Sequence, residues 1–456
     1  MESAVPSPSA NTRFVRSVAV VAALGGLLFG YDTGIISGGL LFIRTEFHLS
    51  ALMEGVVVSS LLVGATIGSL VSGRLADRYG RRAVLLGTAA VFAAGALLAG
   101  LAPDETLLVL GRFVLGLAIG PASAVVPLYI AEMVPADRRG ALVNCNQLMV
   151  TIGIVVSYAV GFAFAPIEGW RWMLGLAVVP AALLGAGMWF LPETPRNLVR
   201  RQLPGQARTV LRSIHGKEDV ESELAEIRAA DERDRTSVAA RGVLRDRSVR
   251  PMLVVGMGLA VFSQIAGVNT IIYFAPSVLA DSGFGASGSI LAQVGVGVIN
   301  VLMTVVAMTL VDRVGRRPMV ITAFTGMGAG MLLLGLVYLL PAQGGAVAWF
   351  ALACMAVYIG FFAFGVGAIL WVLISEIYPP KVRGAAVGMA TMAHWLANFV
   401  VALTFPLLIA AAGATATFWI FAVACAAATL FCVRLVPETK RRSLEEISGG
   451  APAVAS

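Results

Sequence analysis

Lysine is almost missing from this 456-residue chain: Lys217, Lys381 and Lys440 are the only three. None of them completes GxxxxGK[ST], so the chain has no phosphate loop of its own and ATP-driven pumping by this polypeptide is not expected. The three histidines form no HExxH pair. The four cysteines, Cys145, Cys354, Cys425 and Cys432, lack metal-ligand spacing and read as small buried apolar groups. No nucleophile, base and orienting group occur together, which argues against an enzyme, and no cofactor is expected. Charge is also scarce, at 13% of residues against 58% hydrophobic. With a mean hydropathy of +0.86, the chain has far more apolar surface than a water-soluble domain can bury.

What fills the chain instead is a series of apolar runs, each about the roughly 20 residues a helix needs to cross a bilayer. Twelve spans are expected, near residues 17–40, 53–74, 83–102, 106–131, 140–164, 171–191, 251–280, 288–312, 318–341, 346–376, 384–411 and 413–435. Runs this long fit helices, whose backbone groups are satisfied internally; a barrel would show short alternating strands. No small-residue cleavage site follows the first run, so span 1 reads as an anchor, not a removed signal peptide. If the N-terminus is cytoplasmic, 30 of the 33 Lys and Arg residues fall in inward segments, all but Arg44, Arg112 and Arg171. That asymmetry is the positive-inside signature. The net charge of +7 therefore reports orientation and contact with anionic inner-leaflet lipid, not a nucleic-acid partner.

The chain also repeats itself. Asp77-Arg78-Tyr79-Gly80-Arg81-Arg82 returns as Asp312-Arg313-Val314-Gly315-Arg316-Arg317, an offset of 235. Glu132, Pro135, Arg139 and Gly140 return as Glu376, Pro379, Arg383 and Gly384, an offset of 244, and Pro192-Glu193-Thr194 returns as Pro437-Glu438-Thr439, an offset of 245. Three motifs in one order at nearly one offset indicate duplicated six-helix halves, 1–196 and 251–440, an organisation that builds midplane sites open alternately to each side. The charged segment 197–250 joins them, and 441–456 forms a tail. Val220, Leu224 and Ile227 at helical spacing suggest short amphipathic helices in that linker, which either takes part in gating or is a solvated connector.

Polar groups inside the spans are few. Gln147, Gln264, Asn269, Asn300 and Asn398 place amides in spans 5, 7, 8 and 11, while Trp371 and Trp395 place rings in spans 10 and 11. Amides both donate and accept, as a ligand rich in hydroxyls requires, and indole faces suit its ring carbons. Any single amide can equally be an interhelical hydrogen bond in lipid. Gln264 and Asn269 are five apart and would diverge on an ideal helix, unless Gly267 between them breaks it. Asp32 and Arg112 are charges deep in spans 1 and 4 at similar depth from the outer face, where an isolated charge costs at least about 2.5–3.5 kcal/mol, so they read as a pair.

Taken together, the chain resembles the sugar porter family of the major facilitator superfamily over essentially its whole length. The resemblance rests on Gly25 to Gly34 (GGLLFGYDTG), the two D-R-x-G-R-R loops, Gly111-Arg112-Phe113, Pro127 to Gly140 (PLYIAEMVPADRRG), Gln264 to Asn269 (QIAGVN) and the two Pro-Glu-Thr segments. It implies an all-α membrane protein of twelve helices in two pseudo-symmetric six-helix bundles, moving a monosaccharide or polyol by alternating access. It also implies that Gln147, Gln264, Asn269, Asn300 and Trp371, with Asn398 and Trp395, line the sugar site. An aspartate at Asp32 accompanies proton symport in the family, so Asp32 and Arg112 are expected to couple the proton. A cytoplasmic gate locking the outward-facing state is implied for Asp77, Arg78, Arg82, Glu132, Arg139, Glu193, Arg313, Arg317, Glu376, Arg383 and Glu438. Two departures stand out: Ser263 replaces the first of a usual pair of glutamines, and span 10 lacks its common prolines, leaving its hinge to Gly365 and Gly367.

The expected function is proton-coupled sugar symport in a bacterial inner membrane, both termini cytoplasmic, by a chain working as a monomer. Facilitated diffusion and sugar sensing are the alternatives. Glucose, galactose, xylose, arabinose and inositol all remain open as substrates; Gly38 to Arg44 (GGLLFIR) resembles the inositol and pentose branches.

Overall fold

The computed structural model describes residues 12–216, 219–235, 249–339, 345–379 and 382–439, and among these there is no strand. Segments 236–248 and 440–456, and the side chain of Arg139, lie outside the described residues. Spans 1 to 5 are single helices, Thr12–Glu46, Ala51–Tyr79, Arg81–Gly100, Glu105–Met133 and Ala136–Phe164. Span 6 is Trp170–Gly175 continued by Val178–Phe190; spans 8 and 9 are Gly285–Val314 and Arg316–Val337. Spans 11 and 12 run as one helical stretch, Arg383–Leu435, interrupted at Gly413, whose φ of 78° and ψ of 169° leave the helical region. Among the described residues eleven apolar stretches thus hold the twelve expected spans, because the last stretch contains two.

The duplication seen in the motifs returns in the packing. Span 1 lies on span 5, span 2 on span 4 and span 3 on span 4; span 9 likewise lies on span 10 and span 8 on span 10. Close approach is a matter of side-chain size: a Cβ on Gly30 would run into the Val150 carbonyl, and one on Gly153 into the Leu27 carbonyl, so spans 1 and 5 meet backbone to backbone. The two halves touch through span 2 against span 11, where Gly55 faces Leu403, and through span 5 against span 8, where Ile290 faces Gly38 and Gly161. These pairings exchange under the repeat, as a pseudo-twofold axis requires.

Two spans are broken where the glycines anticipated it. Span 7 is Arg250–Ile265 followed by Val268–Leu279, with Gly267 at φ +90° between them. The Ala266 carbonyl freed by the break accepts from Tyr358 Oη at 2.9 Å, and Cys425 Sγ lies 3.7 Å from it. Span 10 is Gly345–Phe362 and Ala368–Ile377, joined by a π-helical turn over Ala363–Gly367 in place of a proline kink.

The described part of the linker is helical. Pro195–Arg200, Pro204–His215 and Glu221–Arg235 are helical, and Val220 and Leu224 are buried with Val210, Leu211 and Ile214. Arg208 pairs with Glu221 at 2.5 Å, which raises the arginine pKa and lowers that of the glutamate. The face of the molecule on this side is called the linker face below.

Candidate functional site

Near mid-depth a cavity of about 120 Å³ opens between the halves. A single water needs roughly 10–15 Å³, so the space holds a small solute and not only a water or two. All seven residues singled out for the substrate line it: Gln147, Gln264, Asn269, Asn300, Trp371, Trp395 and Asn398. The break at Gly267 resolves the divergence of Gln264 and Asn269, because it turns both inward and lets Asn269 Nδ2 donate to Gln264 Oε1 at 2.7 Å. Asn300 and Asn398 are buried, yet each has an Oδ1 without a hydrogen-bond partner. A buried amide oxygen left unpaired costs free energy, so these two acceptors are poised for hydroxyl donors. Trp371 is 38% exposed, its ring a free wall of the cavity, and Trp395 meets Phe29 of span 1 across the cavity at 5.9 Å.

One member of the site was missed by reading the sequence. His394 sits beside Trp395, with its ring 5.1 Å from that of Trp371 and 5.7 Å from that of Trp395. Its Nδ1 is 3.3 Å from Ser263 Oγ, and both ring nitrogens are 3.3 Å from Gln264 Nε2. The imidazole thus stands against the short serine that replaces a glutamine. An ionisable residue within span 11 was the available signal, since such groups are rare in lipid unless they act on something. Phe29, Thr33, Thr151 and Tyr273 also line the cavity and carried no signal beyond their position.

Beside this cavity, and on the residue before Thr33, lies the expected ion pair. Arg112 Nη1 donates to both oxygens of Asp32, at 2.9 and 3.0 Å, with each side chain 1% exposed. One guanidinium nitrogen serves the whole carboxylate, while Arg112 Nε has no hydrogen-bond partner. The pair is short, dry and only partly satisfied.

At the linker face the structure assembles the repeated motifs, though with two arginines that the sequence reading left out. Arg81 and Arg316 meet the glutamates: Arg81 Nη2 donates to Glu132 Oε1 at 3.0 Å, and Arg316 Nε lies 3.5 Å from Glu376. Arg82 and Arg317 reach carbonyls at the ends of spans 6 and 12 instead, Arg82 to Met188 and Trp189, Arg317 to Val433. Glu193 and Glu438 accept the backbone N–H groups that open spans 3 and 9, those of Arg81 and Arg82 at 3.0 and 3.1 Å and those of Arg316 and Arg317 at 3.1 and 3.2 Å. Gly80 at φ +94° and Gly315 at φ +104° turn the chain sharply, and any side chain there would strike the carboxylate. Asp77 pairs with Arg81 and with Arg200 of the linker, Arg78 lies over the Tyr79 ring, and Arg383 Nε donates to the Tyr378 carbonyl at 3.2 Å. Arg313 is exposed at the end of span 8. Among the described residues these pairs bind the ends of each half together, and Asp77–Arg200 joins the first half to the linker.

A stability test follows from the two carboxylates. Glu193→Ala or Glu438→Ala orphans two helix-opening N–H groups and removes an anion from a helix N-terminus, a loss of about 1–3 kcal/mol each. Thermal unfolding followed by fluorescence-detected size exclusion is expected to show a lower midpoint for both; an unchanged midpoint would mean water replaces the carboxylate at no cost.

A family profile described as Sugar (and other) transporter matches residues 18–450. The galactose-proton symporter of Escherichia coli is 38% identical over 439 residues, covering 96% of this chain and 94% of that protein. A D-xylose transporter of Levilactobacillus brevis is 40% identical over 426 residues, covering 93% of each. Among solved structures, the inward-open conformation of the xylose transporter XylE from Escherichia coli superposes with a TM-score of 0.83 at 33% identity, covering 95% of this chain and 99% of that one. The same symporter bound to 6-bromo-6-deoxy-D-glucose superposes at 0.79 with 34% identity, covering 96% and 99%.

Proposed function

Since the chain belongs to the sugar transporter family, the sugar porters of the major facilitator superfamily, we propose that it is a secondary active transporter that carries a monosaccharide or polyol together with a proton by alternating access. The observation that supports this best is the adjacency of two things with different chemistry: a cavity lined by amides and indoles from both halves, and a buried Asp32–Arg112 pair one residue from the cavity wall at Thr33.

The halves 1–196 and 251–440, the linker 197–250 and the tail 441–456 are the units of this reading. Gln147, Gln264, Asn269, Asn300, Asn398, Trp371 and Trp395 bind the sugar, and His394 completes the wall at Ser263. Asp32 and Arg112 bind and release the proton. The linker face is cytoplasmic, with both termini there, in a bacterial inner membrane, and one copy of the chain suffices. The halves meet through Gly55, Ile290 and Tyr158 toward the opposite face, which favours an inward-facing state here. The charges Asp77, Arg78, Arg82, Glu132, Arg139, Glu193, Arg313, Arg317, Glu376, Arg383 and Glu438 sit on or beside span ends that must approach when the linker face closes, so we assign them to that gate. A network made tighter in one state biases a two-state equilibrium even where its single pairs contribute little.

The test is uptake of labelled xylose, glucose, galactose, arabinose and inositol into vesicles containing the purified protein, with and without an inward proton gradient. Accumulation above the external concentration is expected for at least one sugar only with the gradient. Equal uptake in both conditions would make the chain a facilitator, and no uptake of any sugar would remove the reading.

A further inference from the structure

Pro276 lies inside the outer half of span 7, Val268–Leu279. A proline has no N–H, so the carbonyl four residues earlier, that of Ile272, loses its helical donor. In a membrane such a carbonyl has to be satisfied from elsewhere. Here the donor comes from the other half of the molecule: Tyr158 Oη of span 5 donates to the Ile272 carbonyl at 3.4 Å. Having given up its single proton, the hydroxyl accepts from Gln293 Nε2 of span 8 at 3.0 Å, and the same amide nitrogen lies 3.4 Å from the Ile271 carbonyl. Tyr158 is 3% exposed and Gln293 1%. The Gln293 Oε1 has no hydrogen-bond partner.

We propose that Tyr158 and Gln293 are positioning residues for the transport site: together they tie the outer half of span 7 across the interface between the halves. That half-helix holds Asn269, Ile272 and Tyr273, three residues of the cavity wall. Tying it down both sets the cavity and keeps the face opposite the linker closed. The bond to Ile272 crosses between halves that separate there when that face opens, so it exists in one state and is lost in the other. Gln293 belongs to the same half as Ile271 and supplies the hydroxyl's second hydrogen bond. The tie is self-limiting, because two of its contacts are long, at 3.4 Å, and one acceptor of Gln293 stays unpaired, so opening loses little. Both residues lie behind the wall and line no part of the cavity themselves, which separates them from the sugar ligands.

The proposal rests on alternating access as read above, so its test uses neither sugar nor a proton gradient. Ile290, 1% exposed beneath the closed face and packed on Gly38 and Gly161, is replaced as a reporter, Ile290→Cys. Labelling by a membrane-impermeant maleimide added on the opposite face is measured relative to the chain without the reporter. Tyr158→Phe keeps the ring that packs on Gly297 and removes only the hydroxyl; Gln293→Met keeps length and removes the amide. Each is expected to raise the labelling rate about fivefold, the factor that one modest hydrogen bond contributes to a two-state equilibrium. Unchanged labelling in both variants overturns the tie, whatever the uptake assay gives. Raised labelling with no sugar uptake would keep the tie and remove the sugar reading instead.

Discussion

Asp32→Asn is expected to abolish accumulation of sugar against its gradient while leaving counterflow exchange intact. In the structure one nitrogen of Arg112 serves both oxygens of Asp32, and both side chains are almost fully buried. A proton arriving on Asp32 removes the charge that compensates Arg112, and a buried guanidinium without its partner is costly, about 3–5 kcal/mol when a pair is broken by loss of one member. Protonation therefore favours whichever conformer gives Arg112 other partners or water. By reciprocity that conformer favours the proton, and a gradient then drives the cycle in one direction. Asparagine has nearly the same shape, still accepts a hydrogen bond from Arg112, and never titrates. It behaves as the protonated form in every step, so sugar crosses but nothing drives it. Active uptake and counterflow are measured in the same vesicles at matched protein level. Uphill accumulation that survives the change would reduce Asp32 to a structural partner of Arg112.

The second large effect is expected at Gln264. Its Oε1 accepts from Asn269, and its Nε2 lies against Ser263 and His394, so it connects the two halves of a broken helix to span 11. Gln264→Ala removes its proposed contact with the sugar and also leaves Asn269 Nδ2 without its partner in a half-buried setting. Each unmade hydrogen bond costs about 1–3 kcal/mol, and 1.4 kcal/mol is tenfold, so sugar affinity should fall roughly ten- to hundredfold. Gln147→Ala, for which the described residues show no such bridging contact, should fall toward the smaller end. Binding is read by quenching of tryptophan fluorescence, with Trp371 and Trp395 in the cavity wall. Undiminished affinity in both variants would remove the amide-lined site.

The spans were legible because lipid asks for one simple property, an apolar run of fixed length, and the break at Gly413 shows how little chain separates two of them. The break in span 7 was legible too: a glycine between two amides that ought to converge, and it sits at φ +90°. Asp32 and Arg112 could be paired from depth alone, since a charge in lipid must find its opposite. The linker-face residues named from the sequence include Arg82 and Arg317 but omit Arg81 and Arg316, the arginines that reach Glu132 and Glu376. Periodicity carries an arginine around a helix, but Gly80 and Gly315 end one helix and start the next, and beyond such a turn the direction of Arg81 or Arg316 follows from the turn and not from the count. His394 was overlooked because its neighbours that matter, Ser263 and Gln264, are about 130 residues away. Only folding brings the imidazole to the place where the expected glutamine is shorter by two atoms.

The single-residue break at Gly413 has its counterparts elsewhere on the same face: spans 1 and 2 are joined by residues 47–50, spans 3 and 4 by 101–104, and spans 7 and 8 by 280–284. Among the described residues these connections leave little chain outside the helices, so they offer little epitope for an antibody, little for a protease to enter, and little loop for a soluble protein to grasp. Reagents meant to trap or regulate the molecule through these connections therefore have little to hold and are better made small enough to enter the opening between the halves, whereas the linker face, with Pro195–Arg200, Pro204–His215 and Glu221–Arg235 among its described residues, presents surface enough for a macromolecule to recognise.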